Sequence, residues 1–391
     1  MKKIIPFMMI ITLLLSSCQL ESSDKKVEEI RGVWISCYDH IPANGKTETE
    51  YKSETDKMFE TIAKCGFNTA FVHLRAFSDS FYKSKIFPYS SYIAEYEGAD
   101  LLFDPFEVML KSAKDNGISV HGWINPFRVS TKSDPSLIHS SNPAKKIIDS
   151  GNKSGEICIL DNGIYYNPSC ISNHKLVIDG VREILSKYDI DGIHIDDYFY
   201  PSTDKKIDSI QYTEYVNSGG VLPLDEWRVA GINAFVSALY SAVKSYGNDK
   251  IFSISPSADI EKNKNELYAD CELWLSSNGY ADIIIPQIYF GFEHEKYSFD
   301  SMLDKWSALP RHSDVELLCG IAAYKISTED EYAGAGKKEW QNSIDILARQ
   351  AILIRNNHSF NGFVVFSYSD LLRNNAANEI YNLTEIIKTE K

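Results

Sequence analysis

The chain has 391 residues, 44% hydrophobic, 12% aromatic and 24% charged, with a formal net charge of −14. That composition excludes a disordered tail, a coiled coil and a fibrous repeat. So acidic a surface disfavours phosphate backbones, and nucleic acid is not an expected partner.

The first segment reads as a targeting sequence. Lys2 and Lys3 precede an apolar run from Ile4 to Leu15. A spanning helix needs ~20 residues, so this shorter run fits a signal-peptide core instead. It ends Leu15-Ser16-Ser17-Cys18, which resembles a bacterial lipobox with Cys18 as the lipidation site. Residues 1–17 are therefore expected to be a lipoprotein signal peptide, and 18–29 a polar lipidated tether. Acyl chains on Cys18 would anchor the body to a membrane, outside the cytoplasm. Gln19 rather than Asp follows the cysteine, which is compatible with the outer membrane where the cell has one.

Residues 30–391 alternate between two patterns. Strand-like runs fall at 31–37, 69–74, 118–123, 192–195, 251–255, 282–288, 316–321 and 362–366. They are short, rich in Val, Ile and Phe, and mostly not alternating. Strands buried on both faces of a parallel sheet read this way. Helix-period segments lie between them at 54–65, 105–116, 173–188, 224–246 and 339–356, with stop signals at Gly66, Gly117, Gly247 and Gly279. Eight strands alternating with helices predict an α/β fold, a (β/α)8 TIM barrel. No G-x-G-x-x-G follows the first strand, so dinucleotide binding has no support. The stretch 125–172 is too long for a tight connection. It carries Asp161-Asn162-Gly163 between two apolar runs, which predicts a hairpin inserted after strand three, over the barrel mouth.

The cysteines beyond Cys18 are Cys37, Cys65, Cys158, Cys170, Cys271 and Cys319. They form no C-x-x-C pair, so neither a zinc site nor a redox motif is expected. Cys158 and Cys170 share one loop-rich stretch, where an oxidising exterior would permit a disulfide.

In such barrels the chemistry sits where strands end. Strand two delivers His73 and Arg75, and strand three His121, Trp123, Asn125 and Arg128. Strand four delivers His194, Asp196 and Asp197, strand five Ser255, and strand six Gln287 and Tyr289. Tyr324 follows strand seven, and Ser367 and Tyr368 follow strand eight. Aromatic platforms among carboxylates and amides suit a carbohydrate, whose faces stack and whose hydroxyls need paired donors and acceptors. The sharpest run is Asp191-Gly192-Ile193-His194-Ile195-Asp196-Asp197-Tyr198-Phe199-Tyr200-Pro201. Alternation sends Asp196 and Asp197 to opposite faces unless the strand bends, so one is expected in the mouth and the other toward the loop. Asp191 begins the strand and reads as a turn residue. His194 has two readings, a pocket group or an interior residue satisfied by a neighbour. A metal set of His73, His121, His194 and Asp196 lacks the strand-one His-x-His of amidohydrolase barrels. No metal or other cofactor is expected.

Five motifs occur in order at these strand ends. They are Arg31-Gly32-Val33-Trp34, His73-Leu74-Arg75, Trp123-Ile124-Asn125-Pro126-Phe127-Arg128, the run from Asp191 to Pro201, and Pro286-Gln287-Ile288-Tyr289. Together they resemble the glycosyl-hydrolase-like family 10, bacterial barrel proteins that are often lipoproteins. The resemblance implies hydrolysis of glycosidic bonds in an envelope or extracellular polysaccharide. One branch implies peptidoglycan glycan strands stripped of their stem peptides. The strand-four run also resembles the D-G-x-D-x-D-x-E-Y-P pattern of family-18 chitinases. Asp196 then falls on the Asp that orients the substrate acetamide, and Tyr198 stands where the acid Glu would be.

Glycoside hydrolysis needs a protonated acid at the leaving oxygen and a carboxylate or assisted acetamide at the anomeric carbon. Adjacent carboxylates raise one pKa, which suits an acid beside an ionised partner. The expected assignment is Asp196 as the orienting or nucleophilic carboxylate and Asp197 as the acid. His73, Arg75, Asn125, Arg128, His194, Gln287, Tyr289 and Tyr324 are expected to bind the sugar. The alternative is a non-catalytic glycan-binding lipoprotein on the same scaffold, since a fold does not by itself fix catalysis.

Overall fold

The apolar runs become strands because each buries both faces. A computed structural model describes residues 28–389. The expected signal peptide and Cys18 lie outside the described residues. The strands are β1 (Ile30–Ile35), β2 (Thr69–Arg75), β3 (Ser119–Ile124), β4 (Arg128–Ser130), β5 (Ile157–Leu160) and β6 (Gly163–Tyr166). They continue with β7 (Gly192–Ile195), β8 (Ile251–Ile254), β9 (Ile283–Ile284), β10 (Glu316–Leu317), β11 (Cys319–Ala322) and β12 (Gly362–Phe366).

One parallel sheet runs β10-β9-β8-β7-β3-β2-β1-β12-β11. Its two end strands are halves of one segment, split at Leu318. The Leu318 N–H donates to Ile284 O at 3.0 Å and the Gly320 N–H to Pro286 O at 2.9 Å. The sheet therefore closes on itself, and the expected eight-stranded α/β barrel forms.

Alternation sorts the two faces. Trp34, Phe71, Trp123, Ile283, Ile285, Leu318 and Val364 fill the interior as one cluster. Val33, Ile35, Val72, Leu74, Ile193 and Ile195 pack outward with helix residues such as Phe59, Met109 and Val181. Each such burial contributes roughly 1.5–3 kcal/mol against chain entropy. The helices Glu48–Lys64, Pro105–Asp115, Ile171–Lys187 and Leu224–Lys244 match the expected segments. The expected helix at 339–356 is two pieces, Glu339–Asn342 and Ile346–Asn356, because Ser343 is extended between them. Gly66 and Gly117 take positive φ of 85° and 69° directly after their helices, a left-handed turn that costs glycine nothing.

The expected insertion is present and larger than a hairpin. β5 and β6 pair antiparallel with Leu160 opposite Gly163, leaving Asp161 and Asn162 as the turn. β4 adds a third strand against β6, and this places Arg128 at the rim. The loop after β7 is anchored by a buried bidentate pair. Arg228 reaches both Asp208 oxygens at 2.7 Å, and the Tyr200 hydroxyl donates to Asp208 at 3.0 Å. Cys158 and Cys170 are both buried as free thiols, so the permitted disulfide is absent.

Candidate active site

A cavity of about 310 Å³ opens at the C-terminal ends of the barrel strands. Trp34 of β1 forms its floor. The Trp34 indole N–H donates to His194 Nε2 at 3.1 Å, His194 Nδ1 meets Ser253 Oγ at 2.8 Å, and Ser255 Oγ lies 3.1 Å from Nε2. His194 is fully buried and does not line the cavity. The interior reading is the right one: inward parity on β7 puts His194 one step below Asp196. Burial holds its pKa well below the usual histidine value, so the ring is neutral.

Two other residues read at the strand ends, the expected binding residue Arg75 and His121, are also elsewhere. Arg75 is 1% exposed and outside the cavity lining. Its guanidinium sits 5.0 Å over the Phe87 ring and donates to Pro126 O at 3.2 Å. The β2–β3 register slips between His73 and Arg75, and Arg75 supports the loops beneath the site. His121 faces the opposite end of the barrel, with Ser119, Asp191 and Ile251, because it lies two residues before Trp123 on the same inward face. Asp191 is a closing residue there, accepting from the Val120 N–H at 2.7 Å. Among the described residues no cluster of three or more His, Cys, Asp or Glu is placed to hold a metal ion.

His73 and Trp123 form one wall. Their rings stack with centroids 3.7 Å apart and planes 8° apart. Neither His73 nitrogen has a partner in the protein. Burial, then the neighbouring histidines and arginines, keeps this ring neutral. Trp123 turns its indole N–H to Asp196 Oδ2 at 2.9 Å.

Asp196 and Asp197 both line the cavity. Strand β7 stops at Ile195, so Asp196 keeps the inward parity of His194 while Asp197 is released from alternation, and the expected split to opposite faces does not occur. Asp196 is 3% exposed. Burial first, and the Asp197 charge second, push its carboxyl up to about 7 against the opposing Trp123 and Tyr198 N–H groups. Asp197 is less buried. Burial raises it too, opposed by a hydrogen bond from Gln287 Nε2 at 3.1 Å. The same amide nitrogen donates to Ser255 O at 2.8 Å, which fixes the side chain. The pair thus has its more basic site on Asp196.

Tyr289, Tyr324 and Phe366 make the facing wall, with Tyr289 and Tyr324 edge to face at 5.9 Å. Asn125 lies 1% exposed and accepts from the Arg128 N–H at 3.0 Å. Arg128 then reaches the cavity mouth. His73, Asn125, Arg128, Asp196, Asp197, Gln287, Tyr289 and Tyr324 are thus brought together. Sequence reasoning missed Ser36, Tyr38 and Phe77, which also line the cavity. They directly follow β1 and β2, and that position alone was the signal. Cys37 lines it as well, but burial pushes its thiol up to about 12, which makes it a poor nucleophile at neutral pH.

The family described as Glycosyl hydrolase-like 10 matches residues 29–336, which hold every barrel strand except β12. The chain belongs to this family. Among relatives of this glycosyl hydrolase-like 10 protein, the glycosyl hydrolase YngK of Bacillus subtilis is 29% identical over 368 residues, covering 88% of this chain and 69% of that one. The glycosyl hydrolase DigH of Escherichia coli K12 is 26% identical over 342 residues, covering 78% and 75%. Among solved structures, the PgaB (BpsB) glycoside hydrolase domain of Bordetella bronchiseptica superposes with a TM-score of 0.61 at 14% identity, covering 93% of this chain and all of that one. A GH20 exo-β-N-acetylglucosaminidase of Vibrio harveyi gives 0.56 at 12% identity, over 93% and 55%. At such identities these two establish the barrel fold alone.

Proposed function

We propose that this glycosyl hydrolase-like 10 protein is a glycoside hydrolase, acting on peptidoglycan glycan strands that lack stem peptides. The observation that carries the reading is the Asp196–Asp197 pair, one carboxyl raised to about 7 beside a second, in a cavity walled by Trp34, Trp123, Tyr289 and Tyr324. The electrostatics favour the reverse of the division suggested by resemblance. Asp196 keeps its proton near neutrality and is the acid, and Asp197, braced by Gln287, is the ionised carboxylate.

Asp196 gives its proton to the glycosidic oxygen as the bond to the anomeric carbon breaks, and the leaving sugar departs with a free hydroxyl. The Asp197 charge stabilises the oxocarbenium character at that carbon, directly or through a 2-acetamido group. Water adds there and its surplus proton restores the Asp196 carboxyl. Asn125 offers its amide to sugar hydroxyls, and the aromatic walls stack on the rings.

Cys18 supports attachment of the body to a membrane through lipid, at the cell envelope. The test incubates the purified full chain with intact peptidoglycan and with the same glycan after an amidase has removed the stem peptides. Short oligosaccharides from the stripped glycan, lost in Asp196→Asn and Asp197→Asn, are expected. Co-sedimentation without products would make the protein a glycan-binding module instead.

A further inference from the structure

The cavity carries two carboxylates and one cation. That cation, Arg128, is held in an unusual way. Its Cζ lies 4.8 Å over the Tyr198 ring and 5.3 Å over the Phe77 ring, so two aromatic faces clamp the guanidinium plane. Its backbone N–H is fixed by Asn125, and β4 holds the residue against Tyr165 of β6. Most other arginines among the described residues have an acidic partner within 4.0 Å. Arg128 has none, and its buried Nε is without any hydrogen-bond partner.

A guanidinium clamped by two rings, with the Tyr198 hydroxyl beside it but no carboxylate, is an unfinished site. Its planar fork matches a carboxylate in a bidentate geometry, and the rings have already removed the entropy of ordering it. Phe77 also borders a second cavity of about 240 Å³, lined by Ser130, Lys132 and Asn142 of the insertion. A glycan passing from one cavity to the other would run past Arg128.

We infer that Arg128 is a specificity residue that binds a carboxylate on the substrate sugar, within a clamp made by Phe77 and Tyr198. The inference rests on the proposed glycan substrate and deepens it. In peptidoglycan the stem peptide is joined through an amide to the lactyl carboxyl of muramic acid. Removing the peptide frees that carboxylate, so Arg128 gives a chemical reason for selecting stripped strands. The amide form offers no charge and brings a peptide that would collide with the clamp.

The alternative role for Arg128 is to lower the Asp196 carboxyl across the cavity, a direction its charge does exert. The two roles separate experimentally. The full chain and Arg128→Gln are assayed on amidase-stripped glycan and on the same glycan after its lactyl carboxyls are converted to primary amides. Loss of one charge-assisted bidentate contact corresponds to roughly 10–100-fold in kcat/KM. The wild type is expected to lose that much on amidation. Arg128→Gln is expected to lose it on the acidic glycan and to be indifferent to amidation, with the Arg128→Lys variant in between. Equal wild-type cleavage of both glycans, or an Arg128→Gln loss equal on both, overturns the proposal.

Binding of both glycans to Asp196→Asn supplies a readout independent of turnover. Carboxyl-dependent binding without cleavage by the wild type would sink the hydrolase reading and keep the subsite. Binding indifferent to amidation, or no binding to either glycan, would sink the subsite.

Discussion

Trp123 donates its indole N–H to Asp196 Oδ2 at 2.9 Å while its face lies on the His73 ring. One side chain from β3 thus positions the carboxyl from the end of β7 and a neutral imidazole from β2. The hydrogen bond favours the ionised carboxylate, so it opposes the burial that raises Asp196.

Trp123→Phe removes that donor and keeps an aromatic face for His73. Asp196 should then hold its proton to higher pH. The acid is needed protonated, so the alkaline limb of the kcat/KM profile should move upward, by up to about one pH unit for a hydrogen bond of ordinary strength. The pH profile of the variant on stripped glycan checks this. A limb that stays in place would remove Asp196 from the acid role.

Asp196→Asn should trade activity for stability. The folded carboxyl, at about 7, lies above its unfolded value near 4. Its contribution is therefore full below about pH 4 and is lost as pH rises through 7. Asn is never ionised and escapes that loss. The variant should be more stable than wild type at pH 8, by up to about 4 kcal/mol, the cost of ionising a carboxyl displaced that far. The gap should close toward pH 5. Turnover should fall roughly 10²–10⁴-fold, the usual worth of a general acid. Chemical denaturation at the two pH values, beside product assays, tests both halves. A gap equal at pH 5 and pH 8 would contradict the raised carboxyl.

How far the sequence reaches is visible in particular residues. The strands were legible because double burial writes itself as runs such as Phe363, Val364 and Val365. The inserted hairpin was legible because Asp161-Asn162-Gly163 is local turn chemistry. Helices such as Phe299–Ser307 and Cys271–Ser276 were not read, since they are too short for periodicity to stand out. Within the site, Asp196, Asp197 and Gln287 follow from their place at strand ends. Depth was harder. His73, His121 and His194 look alike in sequence, yet one lines the cavity, one faces the far end of the barrel and one is sealed between Trp34 and Ser253. Depth depends on where each strand stops and on its stagger, which is tertiary information. Arg75 misled for the same reason, through the register slip beside it.

The buried histidines should make the barrel acid-labile. His40 and His121 are lowered to about 4, and His73 and His194 are held well below the usual histidine value, all chiefly by burial. Each folded value lies below the unfolded one near 6.5, so the unfolded chain binds more protons below pH 6.5. Stability from these groups is complete above that pH and falls as pH drops toward the folded values. Asp196 and Asp79, whose carboxyls burial raises to about 7 and about 6, work in the opposite direction over the same window and offset about two of the four protons. Urea unfolding at pH 7, 6 and 5 should show a steady loss of stability, with net uptake of about two protons from these groups on unfolding near pH 5. His121→Gln, far from the cavity, should flatten the slope by about one proton and leave turnover unchanged. A slope identical to wild type would mean that His121 is protonated in the folded barrel.

His194 gives the complementary case, a residue whose role is support. It accepts from the Trp34 indole and meets the hydroxyls of Ser253 and Ser255, all inside the barrel. His194→Leu fits an apolar side chain in the same space but leaves an N–H and two hydroxyls without their partner. Unpaired buried donors cost about 1–3 kcal/mol each, so a loss on the order of 2–4 kcal/mol in unfolding free energy is expected, part being recovered as the hydroxyls rotate. Trp34 remains the cavity floor, so KM on stripped glycan should stay within about threefold at temperatures where the variant is folded, an energy below about 0.7 kcal/mol. A normal stability with a greatly raised KM would instead place His194 in contact with substrate, which its burial beneath Trp34 argues against.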